Sequence, residues 1–190
     1  MNITTVVDSV KSKLVVGLLA VVACVLMVAA NLTFASPSHA VSDGTFNYIV
    51  VSGNEVQIRS CVGGVNSCPE NLTIPNTINV SGTDLPVRTI YGSAFYGSTS
   101  IKRVTIPNNV TAVGAGAFYA NVNLTSASLG SGVTSIGQAA FSLTALTSLT
   151  LPNSVTTMGV SSFAGISTLT SATLSTNLQS LPDLAFNRTG

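Results

Sequence analysis

Residues 133–141 read VTSIGQAAF. The phrase is neither a clean helix face nor a clean strand by periodicity, yet close variants of it recur along the chain. Its final phenylalanine returns as Phe95, Phe118, Phe141, Phe163 and Phe186, in steps of 23, 23, 22 and 23 residues. Eight positions before each stands an aliphatic residue: Val87, Val110, Val133, Val155 and Leu178. Five positions before each stands Ile90, Val113, Ile136, Met158 or Leu181, and Gly114, Gly137 and Gly159 follow three of these. Aligned columns at a fixed period are the signature of a repeat architecture.

The second half of each unit is as regular. Ile101, Val104 and Ile106 follow Phe95; Leu124, Ala127 and Leu129 follow Phe118; Leu169, Ala172 and Leu174 follow Phe163. After Phe141 the same L-x-x-L-x-L phrase, Leu146, Leu149 and Leu151, arrives one residue sooner. The last two apolar residues alternate with Ser or Thr, as in a half-buried strand. Pro107, Gly130 and Pro152 terminate these strands. Each unit is therefore expected to hold one strand, a turn, a run of small residues and a buried phenylalanine, with Gly137 bending the chain and Ala139 and Ala140 allowing close approach. A unit of this size cannot bury its apolar side alone, so the units must stack. A strand at residues 72–74 should open the ladder, and adjacent strands should lie about 4.8 Å apart. Phe95, Phe118, Phe141, Phe163 and Phe186 should form an interior column, the structural core.

Residues 45–62, TFNYIVVSGNEVQIRSCV, differ. Two strand-like runs flank Ser52-Gly53-Asn54, which signals a hairpin with Phe46, Tyr48, Val56 and Ile58 inward. It is expected to cap the open end of the stack. Residues 76–86 read as an irregular connection into the first full unit. The chain is thus expected to be mainly β, with a cap over residues 41–71 and an array over 72–190 whose fifth unit stops before its strand.

The N-terminus reads as an address. Lys11 and Lys13 precede an apolar run over residues 14–30, and Ser38-His39-Ala40 forms a small-x-small cleavage site. Residues 1–40 are then a hydrophobic signal helix, with Val41 the mature start. The run also has the length of a membrane anchor, and residues 21–24, VVAC, resemble a lipoprotein box. Each alternative places the rest of the chain outside the cytoplasm, secreted or on the cell surface. In that oxidising setting the two remaining cysteines, Cys61 and Cys68, are expected to pair. Two free thiols are the alternative.

Composition excludes whole classes of function. Only 7% of residues are charged, with a net charge of +1, so no basic surface exists for nucleic acid. Residues 104–182 contain no Asp, Glu, Lys, Arg or His. Acid–base and nucleophilic catalysis both need such groups beside the reacting atom. The only histidine, His39, falls in the leader, so neither a metal site nor a cofactor is expected. The chain does not read as an enzyme, and it should meet membrane only through its N-terminal segment.

The positive candidate is the solvent side of the repeated strands. Period-two alternation turns Arg103 and Thr105, Ser126 and Ser128, Ser148 and Thr150, and Ser171 and Thr173 outward. They should align into a flat hydroxyl-rich face, with Lys102 and Arg103 the only cationic pair in the array. Small polar residues also simply fill solvated strands. Regular Thr and Ser rows further fit ice binding, loosely.

The phrase V-x-x-I-G-x-x-A-F followed by L-x-x-L-x-L-P-N, clearest over residues 133–153, resembles the BspA-type leucine-rich repeat. Residues 72–190 carry the resemblance. They depart from it in lacking a Cys after the A-F pair, in Ser162, and in Leu129-Gly130 where Pro is usual. The resemblance implies a leucine-rich-repeat solenoid of about 23-residue units, found in surface or secreted proteins that adhere to a protein or glycan on a cell or matrix surface. It implies no catalytic residues. A structural spacer or self-associating stalk is the competing role.

Overall fold

The computed structural model describes residues 41–52 and 54–190. The leader, with its signal, anchor and lipid-box readings, and Gly53 lie outside the described residues. The chain opens with β1 (Val41–Ser42), β2 (Phe46–Val51) and β3 (Glu55–Cys61). β2 and β3 form the expected antiparallel hairpin, and alternation buries Phe46, Tyr48, Val56 and Ile58. A 3-10 turn, Val65–Ser67, follows within the loop closed by the Cys61–Cys68 disulfide. Next come β4 (Asn71–Thr73), β5 (Thr77–Val80) and β6 (Thr83–Ile90).

Residues 76–86 are not irregular. β5 and β6 pair antiparallel from Thr77↔Pro86 to Val80↔Thr83. Ser81 (φ 52) and Gly82 (φ 88) both take positive φ, which is what a tight two-residue hairpin turn requires. Asn79 fixes the tip: its Oδ1 accepts the Gly82 N–H and its Nδ2 donates to Asp84 Oδ1 at 2.7 Å.

The repeats then alternate a longer and a shorter strand: β7 (Arg103–Ile106), β8 (Ala112–Val113), β9 (Ser126–Leu129), β10 (Ser135–Ile136), β11 (Ser148–Thr150), β12 (Thr157–Met158) and β13 (Ser171–Thr173). Two parallel ladders result, which corrects the expectation of one strand per unit. In the first, β4, β7 and β9 pair in register, as do β11 and β13. The Thr147 N–H donates to Thr125 O, and the Ala145 N–H to Leu124 O, between those two groups. In the second, β3, β6, β8, β10 and β12 run in order, so the cap hairpin extends this ladder edge-on as well as covering the core. The opening phrase contains β10, a strand two residues long.

Between the ladders lies one apolar core, and within it the phenylalanine rings stack at 5.1, 5.1, 5.4 and 5.6 Å between centroids. Interplanar angles of 20°, 11°, 0° and 8° mean that successive coils repeat with little rotation. Phe95, Phe118, Phe141 and Phe163 are fully buried. Phe186 is not: it stacks on Phe163 but is only partly buried, because no described coil covers its other side.

The turn around each phenylalanine is built the same way. The residues two before it (Ser93, Gly116, Ala139, Ser161, Leu184) and two after it (Gly97, Ala120, Leu143, Gly165, Arg188) all have positive φ. Alternating handedness aims the amides of these residues and of the phenylalanine along the stack. Thus Ala139, Phe141 and Leu143 donate to the carbonyls of Val160, Ser162 and Ala164 in the next coil. Gly137 does not bend the chain. Its φ is not positive, and a Cβ there would strike the Gly114–Ala115 backbone of the coil beneath. Glycine is needed for close approach.

Candidate functional site

The longer ladder positions the candidate face. Its strands bury Leu72, Val104 and Leu149 and leave the flanking residues exposed. The register brings these into two rows. One runs Asn71, Arg103, Ser126, and continues Ser148, Ser171; the other runs Thr73, Thr105, Ser128, and continues Thr150, Thr173. The structure thus brings together all the strand-face residues named from the sequence except Lys102. Lys102 precedes β7 and stands in a third file with Thr125, Thr147 and Thr170, linked by backbone bonds from Thr125 N to Lys102 O and onward. Its ammonium pairs with Glu70 at 3.0 Å. Asn71 and Thr73 join the rows although the sequence reading omitted them. Their strand phrase, NLTIP, matches the repeated one, which was the available signal.

A set of threonine hydroxyls off this face is committed to the protein's own backbone. Beside it, Thr125 Oγ1 donates to Lys102 O at 3.2 Å and Thr170 Oγ1 to Thr147 O at 3.0 Å. Just before β8, β10 and β12, Thr111, Thr134 and Thr156 likewise donate to carbonyls of the preceding coil. Within the two rows, among the described residues, none of the hydroxyls of Thr73, Thr105, Ser126, Ser128, Ser148, Thr150, Ser171 and Thr173 has a partner in the protein. Each keeps one donor and two acceptor positions for whatever meets the face.

Charge is absent from the middle of the array, residues 104–182, and most of it gathers at the cap end. Arg59 lies over the Tyr91 ring at 3.3 Å, Arg88 pairs with Glu55 at 3.5 Å, and Lys102 holds Glu70. Arg103 has no acidic partner; its Nη1 donates to Asn71 Oδ1 at 3.3 Å. The disulfide loop braces this end. The 98–100 turn donates to it from Ser98 Oγ to Val65 O (2.8 Å) and from Thr99 N to Asn66 Oδ1 (3.0 Å). Glu70 O accepts from both the Lys102 and the Arg103 N–H. Among the described residues no group of three or more His, Cys, Asp or Glu could hold a metal ion, and no helix is long and apolar enough to cross a membrane.

A family model described as the BspA type leucine rich repeat region matches residues 66–190 in six copies. Among solved structures, the chain is similar to a leucine-rich repeat protein from Bacteroides ovatus ATCC 8483 (TM-score 0.58, 19% identity), over 80% of this chain and 45% of that one. It therefore spans under half the length of that protein. It is also similar to a leucine-rich repeat protein from Bacteroides capillosus ATCC 29799 (TM-score 0.58, 22% identity, 70% of this chain and 96% of that). A third likeness is to the T. pallidum Leucine Rich Repeat protein (TM-score 0.54, 25% identity, 72% of each). These likenesses show the fold. No curated protein matches the chain.

Proposed function

The chain belongs to the BspA-type leucine-rich-repeat family, and from that premise we propose that it is an exported, non-catalytic binding module that recognises a protein or glycan on a cell or matrix surface. The observation that carries this reading is the contrast in hydrogen bonding. The hydroxyls of Thr111, Thr125, Thr134, Thr156 and Thr170 donate to the protein's own carbonyls, whereas every hydroxyl of the two registered rows is free. A regular, exposed strand face is where solenoids engage extended ligands. Export rests on the leader-like composition of residues 1–40.

Saturable binding of residues 41–190 to intact cells or matrix tests the proposal. Ser148→Arg with Thr150→Arg should abolish binding, while Gln138→Arg with Thr157→Arg, exposed residues of the second ladder's side, should leave it unchanged. Equal loss from both pairs would remove the face from the mechanism. Concentration-dependent oligomers with no saturable surface binding would instead assign the array the role of a structural spacer.

A further inference from the structure

We propose that the strand face takes a linear, otherwise neutral oligosaccharide carrying one anionic group at an end, with that group on Arg103 and the sugar hydroxyls along the two rows. The proposal rests on the binding-module reading and narrows it to a ligand class. Three observations select the class.

The face beyond Arg103 is uncharged over Ser126, Ser128, Ser148, Thr150, Ser171 and Thr173, which argues against a polyanion, since such a ligand needs a cation for each phosphate or sulfate it presents. The free groups are hydroxyls that both donate and accept, and a sugar chain presents the same two-way groups along its length. Spacing argues against an extended peptide. Coils repeat about every 5 Å, whereas same-side residues of an extended peptide recur about every 6.8 Å, and its backbone groups are recognised by sheet edges rather than faces.

The anionic end follows from charge. Glu70, next to Asn71 in the chain, is held by Lys102, so Arg103 keeps an uncompensated charge near one end of the row, between Asn71 and Ser126. A guanidinium offers a planar fork suited to a carboxylate. Its single tie, to Asn71 Oδ1, leaves the remaining N–H donors available.

Titration calorimetry at low salt with three probes tests this: a short neutral oligosaccharide ending in one uronate, the same oligosaccharide with its carboxyl reduced to the alcohol, and a Ser/Thr-rich peptide of similar length with a free C-terminal carboxylate. The acid-ended sugar should bind about 3–10-fold tighter than its reduced twin. Arg103→Gln and half-molar salt should each erase that difference. Ser148→Ala with Thr150→Val, which removes hydroxyls without adding bulk, should weaken both sugars equally. Equal affinity of wild type for the two sugars would overturn the anionic contact, and a peptide that binds as tightly as the acid-ended sugar would overturn the glycan class. Absence of binding to all three probes overturns the proposal as a whole. The cell-surface assay with Ser148→Arg and Thr150→Arg, which does not depend on these probes, then decides separately whether the face binds anything.

Discussion

Ser162 occupies the position before the stacked phenylalanine where the other coils place Ala94, Ala117, Ala140 and Ala185. It is fully buried, and its hydroxyl has no hydrogen-bond partner. An unsatisfied buried hydroxyl costs about 1–3 kcal/mol, so Ser162→Ala should raise the urea midpoint by the equivalent of about 1 kcal/mol; a fall would mean that the hydroxyl is satisfied by water. The exception was visible in the sequence as a departure from the repeated A-F pair, but its cost was not. Two glycines separate two physical causes that the sequence cannot distinguish. Gly97 has φ 68 with open space where a Cβ would stand, while Gly137 has ordinary φ but backbone in that space. Asn tolerates the left-handed region. Gly97→Asn should therefore stay within about 0.5 kcal/mol of wild type, and Gly137→Asn should cost at least about 1–3 kcal/mol from overpacking against backbone. Comparable losses by thermal denaturation would show that both glycines serve conformation. No period analysis could have supplied this, because the obstacle at Gly137 is the preceding coil, 22 residues away at Ala115.

At the scale of elements, the cap is fastened twice to the first coil. Its hairpin pairs with β6 through Val56↔Val87 and Ile58↔Ile90, and its disulfide loop receives hydrogen bonds from the 98–100 turn. Reduction of Cys61–Cys68 should cost about 2–3 kcal/mol for so short a loop. The loss should be local. Amide exchange should quicken at Thr99, Lys102 and Arg103, whose N–H groups donate to Asn66 and Glu70, while Phe118 and Phe141 keep their protection. Uniform acceleration would mean that the disulfide supports the whole stack. The hairpin around Ser52 and Asn54 and the long ladder were legible because their alternation runs over four or more residues. The second ladder was not, because β8, β10 and β12 are two residues long and their pairing comes from stacking rather than from local pattern. The β5–β6 hairpin does carry a Ser-Gly turn signal, but its strands lie outside the repeated pattern, and Pro86 is tolerated because it sits opposite Thr77 at the far end of the pairing.

For the whole molecule, stability should behave as a sum of coils and their interfaces. The rows of the candidate face inherit their straightness from the core, since coils with nearly parallel rings also carry their strand residues in register. That is why the face was legible from the sequence: the same period that buries Leu149 exposes Ser148 and Thr150. What the sequence withheld was which hydroxyls are free, because that depends on carbonyls 22 or 23 residues away. Burial is unequal along the stack. Ile136 is 2% exposed, whereas Leu181, at the same place in the repeat, is 57% exposed, and Leu184 and Phe186 beside it are also incompletely covered. Equivalent positions should therefore respond unequally. Ile136→Ala should cost about 2–5 kcal/mol, and Leu181→Ala less than about 1 kcal/mol, because little apolar surface leaves water there on folding. Urea denaturation of the two variants of residues 41–190 measures both values under one condition. Equal destabilisation would show that the last coil is covered in solution, by another molecule of the chain, and a matching concentration dependence of the midpoint would identify that covering as self-association.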